Sequence, residues 1–140
     1  MKTRSGSLAL ILSLAVPLWT SLQTQAFAKL PFPDGEYFNP QNGEVRWHLT
    51  LWEEKNKYFY KNTDLQSEKK ICLTNGTASG NKNRSVFTWR NKGYKYQIAW
   101  RPQDPDVVRL QVINPSGKTI LNELLKRQPG EFEDPNATKC

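Results

Sequence analysis

Two stretches of the chain alternate apolar and polar residues with a period of two, and that pattern can bury its apolar side only as β-sheet. In Val45 to Trp52 the odd positions are Val, Trp, Leu and Leu, and the even positions are Arg, His, Thr and Trp. In the second stretch Tyr94, Tyr96, Ile98 and Trp100 alternate with Lys95, Gln97, Ala99 and Arg101. Successive side chains of a strand point to opposite faces. The first set in each stretch therefore predicts a core face, and the second an outward face.

Shorter runs repeat the pattern between turn residues, the signature of antiparallel sheet. Gly35 to Phe38 is an opening strand, and Tyr58 to Tyr60 follows the turn Glu54 to Lys57. Ile71 to Leu73, Ser85 to Arg90 and Val107 to Ile113 complete the clear cases. Residues 62–70 read as a polar loop, and residues 75–83, which lack apolar periodicity, as an exposed loop. The segment 102–106 reads as a rigid turn, because each proline removes a ladder donor. The run 119–126 has two readings. Ile120, Leu121, Leu124 and Leu125 fit an amphipathic helix by spacing. The turn Asn114-Pro115-Ser116-Gly117 leads straight into them and favours a strand. The expected fold is thus all-β, a small antiparallel meander of seven or eight strands closed as a barrel or packed as a sandwich. Sequential hairpin links favour an up-and-down barrel.

Ahead of this domain lies a leader. Lys2 and Arg4 precede an apolar run from Leu8 to Trp19, and Ala26-Phe27-Ala28 supplies the small-x-small pattern of a cleavage site. The run is too short for a bilayer span, which needs about 20 apolar residues. The reading is a cleaved signal peptide over 1–28, one β domain over 29–128 and a polar, disordered tail over 129–140, with no transmembrane segment once the leader is gone. Export places the protein in the periplasm or outside the cell. Loss of Lys2 and Arg4 lowers the formal net charge from +7 to +5, which favours anionic polymers, glycans or an acidic protein as partners. Export argues against nucleic acid. Cys72 and Cys140 permit one disulfide in an oxidising compartment. Two free thiols, or an intermolecular bond through Cys140, are equally open.

Pro33-Asp34-Gly35-Glu36-Tyr37, following Gln25-Ala26-Phe27-Ala28, resembles the start of small exported cyanobacterial proteins with no assigned function. The resemblance covers about ten residues and implies a bacterial, extracytoplasmic setting but no activity.

No constellation for catalysis or metal binding emerges. The single histidine, His48, lies on the outward register between Arg46 and Thr50, with no nucleophile placed to converge on it. One histidine and two distant cysteines fall short of a zinc set, so no metal or cofactor is expected. What remains is aromatic and basic together. Trp52 shares the outward register with Arg46 and His48, and Lys95, Arg101 and Arg109 add charge on neighbouring strands. Such a face can stack on rings and hold anions. Trp52 could instead fold under a loop. Three functions are left: a non-catalytic binding module using that face, a small-ligand barrel, and a hydrolase that the residues do not assemble. The leader yields the first prediction. The intact mass of the exported protein corresponds to a chain beginning at Lys29, and a mass retaining residues 1–28 refutes cleavage.

Overall fold

The computed structural model describes residues 28–41, 43–130, 132 and 134–140. Apart from Ala28, the leader predicted over 1–28 lies outside them. The described elements are all strands: β1 (Gly35–Gln41), β2 (Glu44–Glu54), β3 (Lys57–Asp64), β4 (Lys69–Leu73), β5 (Thr77–Asn81), β6 (Arg84–Asn91), β7 (Tyr94–Arg101), β8 (Asp104–Ile113) and β9 (Thr119–Arg127). They form one antiparallel sheet in the order β4-β3-β2-β1-β9-β8-β7-β6-β5, curled into a half-barrel.

The count is nine where seven or eight were expected. The additional strand is β5, which lies in the segment read as a loop. All five of its residues are exposed, and it pairs only with β6. A strand with neither face buried carries no apolar alternation for a sequence reading to find. The polar loop 62–70 also shrinks to the turn Leu65 to Glu68, because β3 runs on to Asp64 and β4 begins at Lys69. The ambiguous run 119–126 is strand β9.

Direction around the sheet explains how it curls. Every pairing is antiparallel, so β4 and β5 run the same way. Residues 74–76 between them turn no corner. The two are halves of one broken strand, the first laid on β3 and the second on β6. At the break, Asn75 takes a positive φ of 61°, and the Gly76 amide donates to the Tyr58 carbonyl at 3.3 Å. The Trp89 indole donates to that same carbonyl at 3.0 Å. This junction ties β3 to β6 across the open seam. On the other side the two halves meet at β1 and β9, whose ladder has only two register pairs, Tyr37 with Arg127 and Phe38 with Lys126.

The concave face holds one core cluster, built on Tyr37, Leu49, Leu51, Tyr60, Phe87 and Trp89 from the two halves and closed by Ile98, Leu110 and Leu125. Inward registers match the expected ones at Leu49, Leu51 and Ile98. Val45 departs from them. It sits where β2 emerges from the core and is 41% exposed. One end of the half-barrel is plugged by the N-terminal segment. Phe32 stacks on Tyr58 at 4.7 Å and meets Phe87 edge-on at 4.7 Å, and the Tyr37 hydroxyl donates to the Pro33 carbonyl at 3.1 Å.

The convex face is covered in one place. Composition pointed to a free polar tail over 129–140, but the described residues 134–140 strap across β2–β4. Lys61 Nζ donates to the Asn136 and Lys139 carbonyls at 3.2 and 3.0 Å, Ala137 is buried, and Cys140 is joined to Cys72 with 5.7 Å between Cα atoms. Register places Cys72, Lys61 and Thr50 in one row, so the tail follows a row of outward side chains.

The junction generates a prediction. A Cβ on Gly76 would lie 2.5 Å from Cε2 of Trp89, a ring that is buried and hydrogen-bonded and has little room to shift. Gly76→Ala is expected to destabilise the fold by about 1–3 kcal/mol, the range for overpacking a closed site. Urea unfolding followed by circular dichroism measures it, and an unchanged midpoint contradicts the junction.

Candidate ligand-binding mouth

The six residues of the expected binding face do not form one face. Trp52 is 5% exposed, stacked on Phe59 with ring centroids 5.0 Å apart, and lies where Thr138 and Lys139 of the tail line the same shallow recess. It stands on the outward register with Thr50, but beside the tail it is no free plate. Thr50 is buried on the same side. His48 is half-buried, 3.0 Å from Glu36 through Nε2 and Oε1, and stacked on Phe38 at 4.4 Å. Lys95 lies in the far half, between Arg90 and Ile113 in register. Arg101 and Arg109 do come together, and Arg84 joins them at a small recess of about 220 Å³ beside Asp104. Arg109 is also bonded to Asn122 at 2.8 Å. The sixth residue, Arg46, stands elsewhere, at the end of the half-barrel opposite the Phe32 plug.

That end is open. A cavity of about 410 Å³ runs into the concave face, with Trp47, Asn62, Ile71, Tyr96, Val112 and Leu121 on its walls. These come from β2, β3, β4, β7, β8 and β9, so the cavity is made by the curl itself. Other recesses, including one near Arg127 of about 420 Å³ and a smaller one near Arg84, are lined mainly by chain ends, turns and strand-end side chains rather than by the inner faces of six strands. The volume falls within the range of about 300–1,000 Å³ typical of small-molecule sites, whose walls are mostly apolar with a few placed polar groups.

Along β3 the inward positions run Tyr58, Tyr60, Asn62 and Asp64, from the plugged end to the open one. Asn62 is 6% exposed, and its Oδ1 has no hydrogen-bond partner among the described residues. A buried acceptor left unpaired costs about 1–3 kcal/mol, and a ligand donor in the cavity would recover that cost. Behind it, burial drives the Tyr60 phenol far above its ordinary value, aided by Tyr96. Burial, with a contribution from Tyr94, raises Tyr96 as well. Both phenols are therefore neutral donors at physiological pH.

The rim is charged. Arg46 reaches Asp64 at 3.3 Å and lies over the Trp47 ring at 4.7 Å. Desolvation opposes ionisation of Asp64, but hydrogen bonds from Arg46 and from the Gln66 and Ser67 amides hold its carboxyl below the usual range. The pair is thus charge-compensated. Lys69, opposite Asp64 in register and so on the cavity side, makes no ion pair with a described residue and leaves the mouth positive, whereas Lys70 pairs in register with Thr63 and shares the convex face with Cys72. Among the described residues no group of three His, Cys, Asp or Glu side chains is placed to hold a metal, and no helix is long and apolar enough to cross a membrane.

Sequence reasoning assigned Trp47 and Tyr96 to the core and put Asn62, Lys69 and Lys70 in a loop. A signal was available: on β3 the inward register passes from aromatic to polar at Asn62, which is where the interior opens. No known protein family, curated protein or solved structure matches the chain, so the site is read from its own chemistry.

The buried phenols set a pH limit on the fold. Burial pushes the Tyr37 phenol up to about 12, and Tyr60 is shifted in the same direction. In the unfolded chain both ionise near pH 10. Above that pH the unfolded state binds fewer protons than the folded one, so stability falls as pH rises, by about 1.4 kcal/mol per pH unit for each phenol. Stability is expected to be unaffected by these groups below pH 10 and to drop between pH 10 and about 12. Tyr60→Phe is expected to flatten that slope in urea titrations at stepped pH. An equal slope in the variant places Tyr60 outside the core.

Proposed function

We propose that the chain is an exported, non-catalytic binding module that holds a small amphipathic organic anion in the mouth of its half-barrel. One observation carries this reading: an apolar-walled cavity of about 410 Å³ whose rim carries Lys69 beside the Arg46–Asp64 pair and whose wall carries the unpaired Asn62 Oδ1. The apolar body of the ligand would lie against Trp47, Tyr96, Val112 and Leu121. Its anionic group, a carboxylate, phosphate or sulfate, would face Lys69 and Arg46, and a hydroxyl or amide would donate to Asn62. Charged groups at such a rim fix orientation and selectivity, while the buried apolar area supplies most of the affinity.

The test is calorimetric titration with a panel of aryl and alkyl carboxylates, phosphates and their neutral amides or alcohols. Anions are expected to bind more tightly than neutral analogues. Leu121→Trp, which fills the cavity, is expected to abolish binding, and Lys69→Ala to weaken the anions by about tenfold at low salt. Absence of binding across the panel, or binding indifferent to Leu121→Trp, removes the cavity from consideration.

A second reading concerns extended polyanions and rests on the meeting of Arg84, Arg101 and Arg109 in one recess. Asp104 in the same recess offsets part of that charge, so the mouth is preferred. Heparin-type polymers whose retention falls with Arg101→Ala, but not with Lys69→Ala, would reverse the order.

A further inference from the structure

Antiparallel alternation sends the turns joining β1 to β2, β3 to β4, β6 to β7 and β8 to β9 to one edge of the sheet, the edge on which the cavity opens. The last two touch: a Cβ on Gly93 would lie 3.1 Å from the Pro115 ring. Near the first two, the Leu65 amide donates to the Arg46 carbonyl at 2.7 Å. Large apolar side chains are left in water at this edge. Val45, Leu65 and Ile120 are 41%, 43% and 53% exposed, and of the large hydrophobics exposed among the described residues only Leu124 lies away from it. Interspersed with them are basic groups. Lys92 and Lys118 occupy turns, both exposed, and Arg46 and Lys69 stand on the rim, with Lys70 beside them. The acids Glu44, Asp64 and Glu68 are fewer, and Asp64 is bound to Arg46.

We propose that this edge docks on the surface of a bilayer containing anionic lipid. Val45, Leu65 and Ile120 enter the boundary between headgroups and acyl chains, and the lysines around them contact phosphates. Charge complementarity and shape select this occupant. Single apolar side chains in or beside separate turns, interspersed with lysines, suit a soft surface into which each can sink, as in interfacial membrane binding. A protein partner would instead call for a contiguous apolar patch with its own shape. The cavity opens on the same surface, so an amphiphile could pass between bilayer and mouth without crossing water. Docking itself does not depend on the cavity being filled.

Co-sedimentation of the purified protein with vesicles tests the proposal, using phosphatidylcholine alone and phosphatidylcholine mixed equally with phosphatidylglycerol. The protein is expected to bind the mixed vesicles, to release them as salt rises, and to leave phosphatidylcholine vesicles largely unbound. Combined Val45→Ser, Leu65→Ser and Ile120→Ser, all at exposed positions, are expected to weaken binding at least about tenfold, as are Lys92→Glu with Lys118→Glu. Leu124→Ser, equally exposed but on the convex face, is expected to leave binding unchanged, and so is the cavity-filling Leu121→Trp. Thermal melts confirm that each variant is folded. The proposal is overturned by absence of binding to mixed vesicles, by equal loss in Leu124→Ser, or by binding that the edge substitutions do not alter, as a retained leader inserting into lipid would give. Binding to polyglutamate without binding to vesicles overturns it in favour of an acidic protein.

Discussion

The fold depends on joining two half-sheets into one curl. Strands β1–β4 and β5–β9 are each ordinary meanders, and either alone would expose the greasy side of its aromatic residues. They are joined by hydrogen bonds at the short β1–β9 ladder and at the Tyr58 carbonyl, which accepts from both the Gly76 amide and the Trp89 indole. Between these ties the inward side chains of both halves form a single cluster. Burial of so many aromatic groups is the main driving force, but it acts only if the halves face each other. A residue with a side chain at 76 would push Trp89 away from Tyr58, so the junction sets the curvature and the curvature sets the volume enclosed.

What lies outside the curl is handled differently on its two halves. Over β2–β4 the outward side includes Trp52, stacked on Phe59 and too apolar to leave in water, and the described part of the C-terminal tail borders it. Its attachment combines a disulfide, two hydrogen bonds from Lys61 and the burial of Ala137. A cross-link that closes a long loop restricts the unfolded chain, so Cys72 and Cys140, separated by 68 residues, stabilise the domain as well as the strap. Over β6–β9 one outward row is polar, Thr88, Gln97, Gln111 and Asn122 in one register line, and the next, Val86, Ala99, Arg109 and Leu124, leaves Leu124 in water among the described residues.

Strand content and inward registers were legible because alternation is local: Leu49, Leu51, Ile98 and Leu110 each declare their face within four residues of context. Strand β5 was not, since TASGN has nothing to alternate. Nor was the fate of Trp52. Its parity places it outward, and parity is all that a period-two pattern can report. Whether the outward face meets water or another segment depends on a chain end nearly ninety residues away in sequence. The mouth was hidden for a related reason. Trp47 and Tyr96 have the pattern of core residues, and they are core residues along most of their surface. That they also border a void is a property of how strands from both halves converge.

The two ends of the half-barrel differ because the chain enters at one of them. Phe32 and Pro33 precede β1 and fill the end where β1 begins, against Tyr58, Phe87 and Trp89. Among the described residues no segment does the same at the other end, where the strands merely turn. Turns are polar and short, so they cannot cap an apolar interior, and Asn62 appears on β3 where the core gives way. The cavity, the lysines beside it and the exposed Val45, Leu65 and Ile120 therefore share a single cause: an up-and-down sheet with one plugged end leaves its other end as the place where apolar wall, unpaired polar atom and positive charge meet. A ligand suited to that end must itself be apolar in body and anionic at one terminus, which is also the chemistry of a lipid surface.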